Sequence, residues 1–230
     1  MLVVSNIDLA LETPIMKPSA FLESSIKDFT LNINNDYRYL KTGYYVSLHA
    51  EVLGNPVIPS TENIVDAYRT PILLLRASKA GIPTMPFVVT DSVKQIMSNF
   101  NFPMVVFAVN PFSFEGFRTA KNRNALYKAV RSLGMNYKFA VCAQPLIGEI
   151  ASFKSIFGKC EVKEPAQKIA EEVYHLFRIP LCKLHVQLVG EKAFLCGLQQ
   201  IRKDELTQLD LQLLRSEVSC LLEVGEHLVG

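Results

Sequence analysis

An α/β (α+β) fold is predicted, on three observations. From Tyr37 onward, short apolar runs alternate with segments of helical period, punctuated by glycine and proline. Pro103–Val109 is an unbroken apolar run without helical period, closed by Asn110-Pro111, which is how a strand buried on both faces reads. Late in the chain, two apolar runs meet at Val189-Gly190-Glu191, the pattern of an antiparallel hairpin.

Taken in order, Leu2-Val3-Val4 and Phe29–Ile33 read as strands, separated by an irregular stretch through Pro14 and Pro18. The segment from Tyr37 places Tyr44, Leu48, Val52 and Leu53 at helical spacing, and Gly54-Asn55-Pro56 supplies a stop before the brief strand Val57-Ile58-Pro59. Ser60-Thr61-Glu62-Asn63 has the form of a helix N-cap. Proline is tolerated in a helix chiefly in its first turn, so Pro71 splits Asp66–Ala80 and opens a new helix over Ile72–Lys79. Phe87-Val88-Val89 follows as a strand, and Thr90-Asp91-Ser92 caps the short helix Val93–Asn99.

Phe100–Asn122 then reads as strand, aromatic turn and strand. Arg123–Gly134 is an amphipathic helix with Leu126, Val130 and Leu133 on its apolar face. Phe139–Pro145 and Ile150–Phe157 are strands, the second half-buried. Pro165–Phe177 is a helix with Ile169, Val173, Leu176 and Phe177 inward. Leu181–Leu188 and Lys192–Leu198 form the hairpin, and Asp204–Glu223 is a last helix ended by Gly225. The composition shift at Arg69–Pro71 is the best-supported boundary, dividing 1–69 from 70–230.

The 230 residues are 49% hydrophobic, enough to bury a sizeable core. With 24 Lys+Arg against 22 Asp+Glu, and no basic block, nucleic acid is not an expected partner. Cys142, Cys160, Cys182, Cys196 and Cys220 are odd in number and lack a CxxC pair, and most sit in apolar runs. They read as free thiols of a reducing compartment. No apolar run approaches a membrane span, so a cytoplasmic protein is expected. His49, His175, His185 and His227 are scattered without metal-ligand spacing, and no GxSxG, HExxH, Walker A or GxGxxG pattern occurs.

Several of these stretches together resemble the ATP-grasp superfamily, specifically its RimK-like amine and carboxylate ligases. KAGIPTMPFVVTDS followed by NFPMVVF is similar to that family's helix, turn, strand, short helix and lysine-bearing strand. VCAQPLIGEIASFKSIFG is similar to the strand-linker-strand joining the two lobes, and AQKIAEEVYHLFRIPLCKLHVQLVGEKAFLCGLQQI to the late helix and metal-bearing hairpin. YRYLKTGYYVSLHAEVLGNPVIPS resembles a segment that precedes some RimK-like domains. The resemblance implies an ATP-grasp-like architecture, with a pre-ATP-grasp-type region over 1–69 and reduced lobes at about 70–143 and 144–230.

The family's chemistry, phosphorylation of a carboxylate by ATP and transfer to an amine, needs cations on the phosphates and carboxylates on Mg²⁺. The resemblance puts the phosphate lysine at Phe107 and the Gly-rich loop at Asn110–Thr119, where Phe112, Phe114 and Phe117 surround Gly116. It puts the magnesium pair at Gly197 and Gln199, an upstream ligand near His185, an acidic hinge residue at Glu149 and an arginine near Phe153 or Lys154. Only KCEVKE stands between Gly158 and Pro165, where ligases hold a long substrate segment. The expectation is a non-catalytic binding or scaffolding subunit without metal, with a protein partner or a second copy of itself. Two alternatives stand beside it. One is a ligase using ATP and Mg²⁺ with its cations moved to Arg118, Lys121, Lys154 or Lys183. The other is a small-molecule binding module whose cleft is lined by Arg118, Gln144, Glu149 and Lys154. The aromatic set Phe107, Phe112, Phe114 and Phe117 either fills the nucleotide volume or presents a docking or ligand surface.

Overall fold

The computed structural model describes residues 1–10, 14–110, 112 and 116–227, with side chains to Glu223. Strands β1 (Leu2–Ser5), β2 (Ile15–Met16), β3 (Thr30–Ile33) and β4 (Val57–Ile58) form a parallel sheet in the order β2-β1-β3-β4. Parallel neighbours need crossovers, which here include helices α1 (Pro18–Leu22) and α2 (Thr42–Val52).

The buried face of α2 differs from the predicted one. Gly43, Val46, Ser47 and Ala50 point inward, while Val52 is 76% exposed. The cause is a close approach at Gly43, where a Cβ would lie 2.6 Å from the Asp36 carbonyl oxygen. The buried Asn32 amide secures it, donating to the Gly43 carbonyl at 2.7 Å and to Ser47 Oγ at 2.8 Å. Polar satisfaction, which apolar spacing does not register, orients this helix.

Helices α3 (Thr61–Ala67) and α4 (Thr70–Lys79) meet where Pro71 was expected to divide them, with the proline in the first turn of α4. Ser60 caps α3 by accepting from the Asn63 N–H. Helix α5 (Val93–Asn99) follows strand β5 (Val88–Thr90), and Ser92 caps it by accepting from the Gln95 N–H.

Strands β6 (Met104–Ala108), β7 (Phe117–Ala120) and β8 (Val141–Pro145) join β5 in an antiparallel sheet of order β5-β8-β6-β7, with helix α6 (Arg123–Leu133) between β7 and β8. The apolar run of β6 is explained by its two faces. Met104 and Val106 pack on Ile96, Leu126, Val130 and Leu133, whereas Val105 and Phe107 enter a second, larger core. The strand expected to begin at Phe139 begins at Val141, because Met135, Asn136 and Tyr137 form a turn with φ of 50°, 58° and 62°.

Strands β9 (Glu149–Ile156), β10 (Leu181–Val189) and β11 (Lys192–Gln199) make an antiparallel sheet, with helix α7 (Ala166–Phe177) before the hairpin. Helix α8 spans Gln208–His227, starting later than Asp204 and running past Gly225. Its start is fixed by a reciprocal cap: Thr207 N–H donates to Asp210 Oδ2 at 2.7 Å, and Asp210 N–H to Thr207 Oγ1 at 3.2 Å. Asp204 instead lies in a 3₁₀ turn, Lys203–Glu205. The larger core runs from Val3, Leu31 and Tyr37 through Leu73 and Leu74 to Phe177, Leu184, Leu195, Leu214 and Val218, so elements of the first and third sheets share it. Among the described residues, no helix is long and apolar enough to cross a membrane.

Candidate functional site

The centre of the face between the second and third sheets is built by register. Pairing of Phe107 with Phe117 places both rings on one side of the second sheet, and pairing of His185 with Gly197 and Ser152 lines up three positions across the third. The two sets meet. Phe107, 2% exposed, lies 5.3 Å from the Phe117 ring centroid and 6.1 Å from that of His185, and Phe117 packs edge-on to His185 at 4.8 Å. Gly197 completes the contact, since a Cβ there would stand 2.6 Å from Phe107 Cε1.

His185 is buried within a short polar chain. Its Nε2 lies 3.1 Å from Gln199 Oε1 and its Nδ1 2.8 Å from Ser152 Oγ. An amide oxygen only accepts, so Nε2 carries the proton and Nδ1 accepts from the serine hydroxyl. Burial disfavours the imidazolium and pulls the pKa down to about 4; the Gln199 hydrogen bond opposes this and nearby Lys183 reinforces it. The ring is therefore neutral at pH 7. Gly116 allows Gln199 to approach, because a Cβ there would meet Gln199 Oε1 at 2.6 Å.

Two buried glutamines tie the second sheet to the third. Gln144 Nε2 donates to the Cys196 carbonyl at 2.9 Å, crossing from β8 to β11. Gln187 Nε2 donates to the Pro145 carbonyl at 2.9 Å, while its Oε1 accepts from the N–H groups of Ile147 at 2.9 Å and Gly148 at 3.3 Å. Gln144 was among the predicted cleft residues, and it is fully buried. Gln187 escaped the sequence reading, since a glutamine in a strand carries no local signal of its partners.

The cations expected in the cleft are engaged elsewhere. Lys154 pairs with Asp210 of α8 and donates to the Glu205 carbonyl at 3.1 Å, and Lys183 reaches Glu205 Oε1 at 2.7 Å. Burial alone would raise the Asp210 carboxyl, yet its bonds from Lys154 and Thr207 outweigh that and hold it below the ordinary value. Beside this network lies a groove of about 530 Å³, lined by Ser152, Lys154, Lys159, Cys160, Leu209 and Asp210.

The other predicted site residues do not converge. Glu149 is exposed at the first position of β9, opposite Leu188, whereas Lys154 lies farther along the strand opposite Lys183. Arg118 is in register with Val106, on the α6 side of its sheet, and borders Lys128 and Arg131 rather than the interlobe face. Phe112 is 51% exposed, so it does not join the rings that fill the centre. Phe114 lies outside the described residues. All five cysteines are free, and burial pushes the Cys142 and Cys182 thiols up to about 12. Among the described residues, no group of three or more His, Cys, Asp or Glu side chains is placed to hold a metal ion.

Solved structures share this architecture. A RimK domain ATP-grasp protein from Sphaerobacter thermophilus DSM 20745 aligns at a TM-score of 0.64 and 11% identity, covering 94% of this chain and 97% of its own. A D-alanine–D-alanine ligase from Bacillus anthracis aligns at a TM-score of 0.65 and 13% identity, covering 98% of each. A D-alanine–D-alanine ligase from Helicobacter pylori aligns at 0.56 and 17%, covering 82% of this chain and 70% of its own. At these identities the likeness is one of fold. No protein of curated function matches the chain in sequence. The family model described as RimK-like ATPgrasp N-terminal domain matches residues 22–217, and the chain belongs to that family.

Proposed function

We propose that this chain is a non-catalytic ATP-grasp-fold domain that acts as a binding or scaffolding subunit. The observation that carries this reading is the packing of Phe107 against Gly197. Holding Mg·ATP for phosphoryl transfer takes cationic donors on the phosphates and hard oxygen ligands on the metal. The positions that the family resemblance assigns to those tasks hold a phenyl ring, a glycine, a glutamine and a neutral imidazole. A phenyl ring cannot donate to phosphate, and neutral imidazole is a poor ligand for Mg²⁺. Mg·ATP therefore does not fit the residues present.

The nearby lysines offer no ready replacement, since Lys154 and Lys183 already face Asp210 and Glu205. On this reading residues 1–69 act as a pre-ATP-grasp-type unit, and residues 70–230 as two reduced lobes. Five free thiols accord with a cytoplasmic setting. Calorimetric titration of the purified chain with Mg·ATP tests the proposal, alongside an assay for ADP release with amino-acid acceptors. No binding and no ADP are expected. Micromolar binding with acceptor-dependent ADP release would overturn it.

A further inference from the structure

Residues 88–145, which hold the second sheet with α5 and α6, carry seven Lys or Arg against two Asp or Glu, a net +5 in a chain whose formal charge is +2. The rest of the chain is thus net −3. Lys121, Arg123, Lys128, Arg131 and Lys138, on or beside α6, form no ion pair among the described residues, nor do cations elsewhere such as Lys79 and Lys163; what sets this face apart is the local excess of charge. All five on or beside α6 are exposed. Arg123 instead lies over the Tyr127 ring, 5.6 Å from its centroid, a cation–π contact, and Arg131 Nε donates to Asn136 Oδ1 at 2.9 Å.

The cations border an apolar rim. Met135, Tyr137 and Phe139 are exposed in the turn after α6, and three successive non-glycine residues there, Met135 to Tyr137, have left-handed backbone. Asn110 ties the Phe112 backbone to the end of α6, its Nδ2 donating to the Leu133 carbonyl at 2.7 Å while its Oδ1 accepts from Phe112 N–H at 3.1 Å. Lys128, Arg131, Ser132, Met135 and Asn136 line a shallow depression of about 310 Å³.

We propose that this face docks an acidic segment of a partner protein, one that carries apolar side chains among its carboxylates. Complementarity of charge favours an anionic partner, and unpaired cations steer its approach. A phosphate backbone would engage the cations but leave Phe112 and Met135 in water. Lys128, Arg131 and Met135 line a shallow depression that a projecting side chain of a peptide can enter. Carboxylates beside apolar side chains satisfy both halves of the surface. The inference deepens the binding-subunit reading by naming the partner's chemistry, and it rests on that reading only in expecting a protein partner; the face lies on the α6 side of the second sheet, away from Phe107.

The test is fluorescence anisotropy on the full chain with a labelled peptide of repeating Glu-Glu-Leu-Phe, with poly-uridine RNA and phosphatidylserine vesicles as the other two ligands. The peptide is expected to bind, and to weaken by about tenfold or more in Lys128→Glu/Arg131→Glu and with added salt. Met135→Ala/Phe139→Ala is expected to weaken it by about threefold or more, and the distant Lys163→Glu/Lys192→Glu by less than about twofold. Circular dichroism confirms that each variant is folded. Peptide binding indifferent to the Lys128 and Arg131 reversals would overturn the proposal, as would binding of RNA or vesicles but not peptide, or no binding at all. Mg·ATP titration is read separately, so a chain that binds ATP and also binds the peptide overturns the loss of catalysis and leaves this face standing.

Discussion

The phenyl ring of Phe107 occupies the space into which a side chain at Gly197 would project, with only 2.6 Å between Phe107 Cε1 and a Cβ built on the glycine. The two residues belong to different sheets, 90 positions apart in sequence, and each explains the other. A large apolar ring is accommodated on β6 because its neighbour on β11 has no side chain. The glycine is held there because the ring has taken its volume.

Gly197→Ala is therefore expected to destabilise the fold by about 1–3 kcal/mol, the usual range for overpacking a well-filled core. Phe107→Leu in the same chain should recover part of that loss. A double-mutant cycle by urea denaturation measures the coupling, expected at about 0.5–3 kcal/mol for side chains in direct contact. A cycle that sums additively would remove the contact from the argument.

Acid should weaken the fold through His185. Its folded pKa of about 4 lies below the ordinary 6.5, so the unfolded chain takes up a proton that the folded chain refuses. The stabilisation is fully present above pH 6.5 and is lost as pH falls from there toward 4, by on the order of 3 kcal/mol. Urea midpoints taken across this window should fall in the wild type and flatten in His185→Gln. Equal slopes in the two proteins would contradict the assigned burial.

Asp210 is expected to be the anchor of α8. Asp210→Ala removes both the reciprocal cap with Thr207 and the partner of Lys154, at a cost of about 1–4 kcal/mol. Amide hydrogen exchange should rise first in the opening turns of α8, ahead of the third sheet. Lys154→Met/Asp210→Ala separates the two contributions, because it keeps the cap loss while removing the unpaired charge. Uniform exchange across the chain would place the anchor elsewhere.

Much of the fold was legible because its signals are local. A proline can be seated only in a first turn, so Pro71 divided two helices; a serine before an apolar period makes a cap, and Ser60 and Ser92 do so. The apolar run of β6 announced burial on both faces, though not that its two faces serve different cores. The face of α2 was misread because it is set by Gly43 and by the Asn32 amide rather than by leucine and valine spacing. Long-range pairing hid the rest. Lys154 and Asp210 are 56 residues apart, and His185, Ser152 and Gln199 are gathered only by the register of three strands. The basic face stayed out of sight for a different reason: the excess of cations within residues 88–145 is cancelled in the whole-chain total by acids lying elsewhere.

The packing at the interlobe centre also constrains how the sequence can change. A carboxylate introduced at position 197 meets the ring at 107, and a lysine introduced at 107 enters an apolar pocket beside a neutral imidazole, with no carboxylate among the contacts described for that ring. Either substitution alone lowers stability without assembling a charged pair. On the proposed non-catalytic reading, a charged pair could arise here only by altering both positions together, across a valley that single steps do not cross.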